Sequence, residues 1–250
     1  MTVGVLCAIP EELGSFVQLM QDVTQTEVAR WTFADGLLDG QRVVVAEAGM
    51  GKVNAATATT LLIEKFGCDA VIFTGVAGGL DPELTIGDIV VADRILANDS
   101  GIIEDERLSL YQPGHVRFFN PTDELGYDVD TDLLERVKHR LSAVLLPFLD
   151  PEAGGQGRAP RITFGTIVSG DAYLHCGVTR ERLHRELGGS AIEMEGAAVA
   201  QVCAAFGVPW LVIRALSDLA GHDPDIDFTV YTKHVSDASV HIVHSLLPTI

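Results

Sequence analysis

Residues 190–223, SAIEMEGAAVAQVCAAFGVPWLVIRALSDLAGHD, decide the fold class of this chain. They open with two acids one residue apart and continue into an Ala-rich segment whose larger apolar residues recur at helical spacing. Gly207 stands where a left-handed helix C-cap is expected, and Pro209 cannot continue a helix. The apolar run 210–216 that follows, broken only by Arg214, is typical of a strand buried on both faces, as in a parallel sheet.

Ser217 and Asp218 end this apolar run abruptly. Ligands of open α/β sheets bind outside the carboxyl ends of the strands, so Asp218 stands where chemistry is expected. The alternative is that the two residues cap a turn, because short polar side chains bond readily to nearby backbone groups. Spacing alone leaves both interpretations open.

The length, composition and charge of the chain limit its partners. A chain of 250 residues can bury one substantial core, as one large domain or two small ones, and 47% of these residues are hydrophobic. The formal charge is −18, from 17 basic and 35 acidic residues, which repels phosphate backbones and anionic membrane surfaces. We therefore expect no nucleic acid and no membrane as partner, whereas a small nucleoside is compatible with this charge.

The cysteines and histidines form no disulfide or metal-binding pattern. The four cysteines are scattered without a CxxC pair, and the eight histidines form neither HxH nor HExxH. No apolar run approaches the ~20 residues of a membrane span, and the N-terminus lacks the basic region of a signal peptide. Neither a GxSxG elbow nor a GxxxxGK(S/T) loop is present. We expect a cytoplasmic protein with reduced cysteines, no metal site and no cofactor.

Strand-like and helix-like segments alternate along most of the chain, which predicts an α/β sheet with helices on both faces. Strands are predicted at 3–9, 70–74, 89–92 and 163–168, and Asp39-Gly40 predicts a hairpin turn between two strands within 27–48. Helices are predicted from Pro10, from near Val53, and at 130–149, 180–187 and 230–247. Glycine-rich loops are expected at 49–51 and 75–79, and a long polar loop at 94–132.

Seven motifs together resemble a known family. They are GVLCAIPEEL (4–13), AGMGKVNAA (48–56), TGVAGGL (74–80), GDIVVAD (87–93), SGDAYL (169–174), EMEGAAVAQVC (193–203) and VIRALSDLA (212–220). Their order and spacing are similar to those of the 5′-methylthioadenosine/S-adenosylhomocysteine nucleosidases, in the purine nucleoside phosphorylase superfamily. The resemblance implies one α/β domain over 1–250, with a central mixed sheet that closes into a distorted barrel flanked by helices. It also implies a homodimer, in which we expect the loop 94–131 to complete the neighbour's pocket.

The resemblance assigns a catalytic role to three carboxylates. Asp218 matches the acid that protonates or hydrogen-bonds the purine N7, and Ser217 matches the residue that holds its carboxyl group. Glu12 matches the residue that deprotonates the attacking water, although an acid there also suits a helix start. Glu195 matches the carboxylate that binds the 2′- and 3′-hydroxyls of ribose. Cleavage of an N-glycosidic bond builds positive charge on ribose and negative charge on the base, which this set of carboxylates would relieve.

The resemblance also implies a set of substrate-binding residues. Tyr173 matches an aromatic residue that stacks on adenine, and Leu174 one whose backbone reads the edge of the base. The residues implied to lie against the sugar and its 5′ substituent are Ile9, Met50, Met194 and Phe228. Core packing explains Tyr173 and Met194 nearly as well.

Single positions that depart from the patterns of the superfamily bear on two questions: whether water or phosphate is the acceptor, and which 5′ substituent the substrate carries. Glu12 and Phe73 stand near the places where phosphorylases of the superfamily carry phosphate-binding arginines, and Val76 stands where a phosphate-contacting serine often lies. Since Glu12 would repel phosphate at short range, we expect water as the acceptor. Asn98-Asp99 replaces a His-Asp pair that shapes the site in well-known members, which leaves the 5′ substituent open. The alternatives are a futalosine-type nucleosidase, a purine nucleoside phosphorylase and a nucleoside-binding sensor without turnover.

Overall fold

The computed structural model describes residues 1–8, 10–221 and 228–250, and only the backbone of residues 228 and 229. The strands are β1 Val3–Cys7, β2 Gln21–Val28, β3 Trp31–Leu38, β4 Gln41–Glu47, β5 Ala70–Gly79, β6 Ile89–Ala97, β7 Gly101–Glu104, β8 Arg107–Leu110, β9 Tyr127–Asp128, β10 Ile162–Ser169, β11 Gly189–Glu193 and β12 Trp210–Asp218. The helices are α1 Pro10–Leu19, α2 Lys52–Glu64, α3 Thr131–Leu141, α4 Gly177–Leu187, α5 Gly196–Phe206 and α6 Phe228–Leu246.

Within these residues, a mixed sheet closes on itself through one long strand, β5. This strand pairs in parallel with β1 and with β12, while its last residues pair antiparallel with β11. Because β11, β10, β6 and β12 are neighbours in that order, the contact between β5 and β11 closes a ring of five strands. The strands β1, β4, β3 and β2 extend the sheet outward from β5. The expected mixed sheet with a distorted barrel is confirmed.

Helices pack in pairs against this sheet. Helix α2 packs against α5, and α1 packs against α6. Helix α5 ends as predicted, with Gly207 in the left-handed region at φ 65° and ψ 31°. The strand β12 is buried along its whole length, as its apolar run predicts. None of the helices in the described part of the chain is long and apolar enough to cross a membrane.

The glycines of 75–79 were wrongly expected to form a loop, since β5 runs through them to Gly79. A Cβ atom on Gly75 would lie 2.4 Å from Cβ of Ala8, and one on Gly78 would lie 2.9 Å from an Asp218 carboxylate oxygen. Both distances are shorter than a carbon contact allows. The glycines therefore let neighbouring segments approach β5 closely, which local turn propensity does not report.

The polar regions held more regular structure than the sequence predicted. The segment 94–132 contains the end of β6, the hairpin of β7 and β8, and the short strand β9, so it is not a plain loop. Strand β2 was not predicted, because it is an exposed and largely polar edge strand whose side chains carry no core signal. The hairpin turn at Asp39-Gly40 is confirmed, with φ values of 51° and 78°.

Candidate active site

Asp218 is the last residue of β12, and its carboxylate is buried beside β5. Its Oδ2 accepts a hydrogen bond of 2.9 Å from the Ser217 hydroxyl, and its Oδ1 accepts one of 2.7 Å from the backbone amide of Ala220. The second contact is the turn cap that spacing alone left open. The same carboxylate also lines a cavity, so it can contact a ligand in addition to capping the turn.

That cavity lies between the ends of β5, β11 and β12 and the segment after β10. It is lined by Gly78, Ala172, Tyr173, Leu174, Ile192, Glu193, Met194 and Asp218. Tyr173 is 65% exposed, so much of the residue is accessible to a ligand. The expected base-binding residues Tyr173 and Leu174 therefore share one cavity with the expected acid, Asp218, and with Met194 of the sugar site.

Glu195 lies at the N-terminus of α5, where its carboxylate faces a second helix. Its Oε1 accepts a 2.9 Å hydrogen bond from the backbone amide of Gly51, the residue before α2. Its Oε2 lies 3.7 Å from Nη2 of Arg214. Burial and the nearby charge of Glu193 raise the pKa of Glu195, and Arg214 and the Gly51 amide only partly oppose this.

Glu193 and Arg214 form a buried ion pair next to Glu195, with 2.6 Å between Oε2 and Nη2. The Glu193 carboxylate also accepts hydrogen bonds from the backbone amides of Glu195 and Gly196 and from the Ser169 hydroxyl. The Arg214 guanidinium lies 3.8 Å from the centre of the Phe73 ring. Sequence reasoning assigned no role to this pair. The signal was the single arginine within an apolar strand, because a buried cation requires an anionic partner.

Glu12 projects from α1 into the protein and is fully buried, whereas Glu11 is exposed and fits a simple helix-start role. The Oε2 atom of Glu12 accepts a 3.2 Å hydrogen bond from the backbone amide of Ala8. Burial raises the pKa of the Tyr231 phenol well above its ordinary value, and the charges of Asp218 and Glu12 raise it further. Both carboxylates therefore lie near the same buried phenol.

Gly75 connects the Glu12 region to the Glu195 region. Ala8 and Nη1 of Arg214 both lie against Gly75. The Ala8 amide donates to Glu12, and Nη2 of Arg214 lies near Glu195. The distance from an added Cβ to that Nη1 would be 2.9 Å. The ends of β1, β11 and β12 thus bring three predicted carboxylates to one side of the barrel.

Four other predicted residues have different outcomes. Met50 is 74% exposed and lines a separate pocket with residues that include Arg30, Trp31 and Asn54. Val76 is partly buried within β5, and it is not one of the residues lining the cavity beside Asp218. Ile9 lies outside the described residues, and so does the side chain of Phe228.

In the part of the chain that is described, no group of three or more His, Cys, Asp or Glu side chains is placed to hold a metal ion.

Comparison with known proteins places this site in a family. The model of the phosphorylase superfamily matches residues 2–247. A 5′-methylthioadenosine/S-adenosylhomocysteine nucleosidase from Mycobacterium tuberculosis is 56% identical over 249 residues, which is 100% of this chain and 98% of that protein.

Solved structures have the same fold along the whole chain. The crystal structure of the 5′-methylthioadenosine/S-adenosylhomocysteine nucleosidase of Campylobacter jejuni has a TM-score of 0.83 at 28% identity and covers 100% of both chains. A mutant of futalosine hydrolase from Helicobacter pylori has a TM-score of 0.82 at 27% identity, with the same coverage. The chain therefore belongs to the phosphorylase superfamily and, within it, to the family of the 5′-methylthioadenosine/S-adenosylhomocysteine nucleosidases.

Proposed function

We propose that this protein hydrolyses the N-glycosidic bond of adenine nucleosides of the 5′-methylthioadenosine/S-adenosylhomocysteine type. The bond between ribose C1′ and adenine N9 breaks, the oxygen of water bonds to C1′, and the products are adenine and the 5′-thio-substituted ribose. The observation that carries the proposal is the placement of three buried carboxylates, Glu12, Glu195 and Asp218, at neighbouring strand and helix ends.

Asp218 serves the departing base in this proposal. Negative charge develops on adenine as the bond breaks, and a carboxylic acid at N7 neutralises it by transferring its proton. The Ser217 hydroxyl and the Ala220 amide fix the orientation of the carboxyl group, because they bond to its two different oxygens. Tyr173 stacks on the base, and the backbone of Leu174 reads its edge. The presence of both residues in the Asp218 cavity supports these roles.

Glu12 and Glu195 serve the sugar and the water. Glu12 accepts a proton from water as its oxygen attacks C1′, and this proton returns to Asp218 through solvent after the products leave. Glu195 accepts hydrogen bonds from the 2′- and 3′-hydroxyls and stabilises the positive charge that develops on ribose. Met194 packs against the sugar. Ile9, Met50 and Phe228 complete the walls near the sugar and its 5′ substituent, and Val76 contacts the substrate from β5.

Water rather than phosphate is the proposed acceptor. A phosphorylase must bind a dianion, yet the residues at the corresponding places here are the acid Glu12 and the apolar Phe73 and Val76. Phe73 is also fully buried beneath Arg214, which removes its position from contact with a ligand. The negative charge of Glu12 would oppose a phosphate at short range.

A homodimer is the proposed assembly, with the segment 94–131 of one subunit completing the 5′ pocket of the other. Large apolar residues of this segment are exposed, with Phe118 at 87%, Phe119 at 82% and Ile103 at 76%, and a partner subunit would cover them. Val53 on α2 is exposed at 77% as well. We place the dimer in the cytoplasm, where its thioribose product would serve methionine salvage.

The fold does not separate this activity from that of a futalosine hydrolase, because both kinds of solved structure match almost equally well. The high identity to a mycobacterial 5′-methylthioadenosine/S-adenosylhomocysteine nucleosidase favours the thio-substituted nucleosides. A comparative turnover assay tests the proposal, with 5′-methylthioadenosine, S-adenosylhomocysteine, aminodeoxyfutalosine, adenosine and inosine as substrates. The first two should have the highest kcat/KM. Preference for aminodeoxyfutalosine would overturn it in favour of the futalosine-type enzyme. Binding of the nucleosides without release of any free base would overturn it in favour of the sensor.

A further inference from the structure

Lys52 joins three loops that follow different strands of the barrel. Its Nζ donates a hydrogen bond of 2.6 Å to Asp99, which follows β6, and lies 3.7 Å from the carboxylate of Asp171, which follows β10. Asp99 and Asp171 are joined directly as well, since the Asp171 amide donates to Asp99 Oδ2 at 2.9 Å. Lys52 itself begins α2, after the loop that follows β4. The lysine therefore connects the start of α2 with the loops that follow two neighbouring strands, β6 and β10.

Two consecutive backbone amides at this helix start bind two different carboxylates. The Gly51 amide donates to Glu195 Oε1 at 2.9 Å, and the Lys52 amide donates to Asp171 Oδ1, also at 2.9 Å. The two amides are joined through the Cα of Gly51, so the bond from the Lys52 amide to Asp171 restricts where the Gly51 amide can lie. The contacts of Lys52 and Asp171 therefore act on the same short stretch of backbone that donates to Glu195.

Stability alone does not account for this cluster. Lys52, Asp99 and Asp171 are partly exposed, and ion pairs of this kind contribute little to the free energy of folding. Their contribution to the site is geometric. A hydrogen bond from the Gly51 amide holds Glu195 at the positive end of α2, and the Lys52 cluster lies at the same helix end.

We infer that Lys52 is a positioning residue for the ribose site: by holding the Asp99 and Asp171 loops against the start of α2, it keeps the Gly51 amide on Glu195 and this carboxylate in place for the ribose hydroxyls. The inference rests on the proposed function, in which Glu195 binds ribose. It assigns Lys52 no contact with the substrate.

The test is Lys52→Met, with Lys138→Met as the matched control. Lys138 forms a surface ion pair of 2.8 Å with Glu135 on α3, so the control removes an equivalent charge and pair. We expect Lys52→Met to raise KM for 5′-methylthioadenosine about tenfold, the loss of one hydrogen bond to a charged group, with a smaller change in kcat. The inhibition constant of adenine should change less than about twofold, since adenine carries no ribose. The control should match the unmodified enzyme in both.

Three further measurements separate positioning from general damage. Lys52→Arg should recover most of the loss in KM, and adding Asp99→Asn to Lys52→Met should cost no more than Lys52→Met by itself. The penalty of Lys52→Met should shrink for 2′-deoxy-5′-methylthioadenosine. An unchanged KM, an equal loss of adenine binding, or the same penalty on the deoxy substrate would overturn the inference. Calorimetric affinities for 5′-methylthioadenosine and adenine give the same comparison without turnover, so failure of the proposed reaction is distinguished from failure of the inference.

Discussion

Glu193 and Arg214 make a salt bridge of 2.6 Å in which both side chains are almost completely buried, and Glu195 lies 3.7 Å from the same guanidinium group. The closer carboxylate neutralises the arginine and is saturated by backbone amides and the Ser169 hydroxyl. The more distant one receives the Gly51 amide and is left with acceptor capacity. The two acids of the EME motif thus have different surroundings: Glu193 is fully engaged within the protein, and Glu195 keeps the acceptor capacity that the proposed ribose site requires.

Arg214→Met should destabilise the fold strongly. It leaves Glu193 buried without its cation, which typically costs about 3–5 kcal/mol. Urea unfolding of the mutant measures this. Arg117→Met, which removes an exposed ion pair of 3.1 Å with Glu104, should cost at most about 1 kcal/mol. Equal losses in the two mutants would show that the buried pair is no more important than a surface one.

Substrate binding should weaken on acidification because of Glu195. Its pKa lies above the ordinary value of 4.5, chiefly through burial, so its protonated form persists to a higher pH than that of an exposed glutamate. Only the ionised form accepts both ribose hydroxyls, and KM should therefore rise as the pH falls through this raised pKa. Glu193→Gln removes a neighbouring negative charge and leaves Arg214 to Glu195, so it should move this rise in KM to lower pH. A KM profile that is the same in both proteins contradicts the assignment.

The raised pKa of Glu195 has the opposite effect on the stability of the fold: acidification weakens substrate binding but increases the contribution of this residue to the free energy of unfolding. Since the folded-state pKa of Glu195 is raised, the protonated form favours folding. Its contribution is complete below the unfolded pKa and is lost as the pH rises through the folded pKa. Glu195→Gln, which is uncharged at every pH, should be more stable than the unmodified protein at neutral pH, and the difference should disappear on acidification. Urea titrations of both proteins at several pH values check this, and a constant difference would exclude it.

Asp218→Asn should reduce turnover by roughly 10²–10⁴, the usual range for general acid–base catalysis, with a much smaller change in nucleoside affinity. Glu12→Gln should do the same by disabling water activation. The control is Asp130→Asn, because Asp130 caps α3 by accepting the Leu133 amide at 2.9 Å. That change should alter stability by no more than about 0.5 kcal/mol, because Asn and Asp cap helices about equally well, and it should leave kcat per folded molecule unchanged. If Asp218→Asn behaves like this control, Asp218 is only a cap.

Gly78→Ala should impair catalysis through Asp218. The added methyl group would lie 2.9 Å from the Asp218 Oδ1 and 3.0 Å from Cβ of Ala220, so the carboxylate must move. We expect kcat to fall with a loss of stability. Gly14→Ala on α1 meets no atom within 4 Å and should stabilise the protein by up to about 1 kcal/mol at full activity. A fully active Gly78→Ala protein would show that the position of this oxygen is not critical.

Local patterns predicted the elements that carry the acid. Gly207 and the apolar run before Ser217 were enough to place a helix end and a buried strand ending in Asp218. The glycines at 75–79 misled because loop propensity is local, whereas Gly75 and Gly78 are required by Ala8, Arg214 and Asp218, which are distant in sequence.

Local patterns could not tell which of the two glutamates pairs with Arg214, and only the family resemblance singled out Glu195. Arg214 in an apolar strand signals a buried anionic partner, but Glu193 and Glu195 are two residues apart and offer the same chemistry. The choice depends on the junction of β11 and α5, where the chain turns so that Glu193 meets Arg214 and Glu195 meets the Gly51 amide. Lys52 gave no signal either, because its partners come from two loops distant in sequence.

The most direct test of the account is the product of 5′-methylthioadenosine turnover in phosphate-free buffer and again with phosphate added. Chromatography should show equal amounts of free adenine and 5-methylthioribose, formed at a rate that phosphate does not increase. Formation of 5-methylthioribose-1-phosphate, at a rate that rises in proportion to phosphate, would contradict the assignment of Glu12 to water and make the protein a phosphorylase.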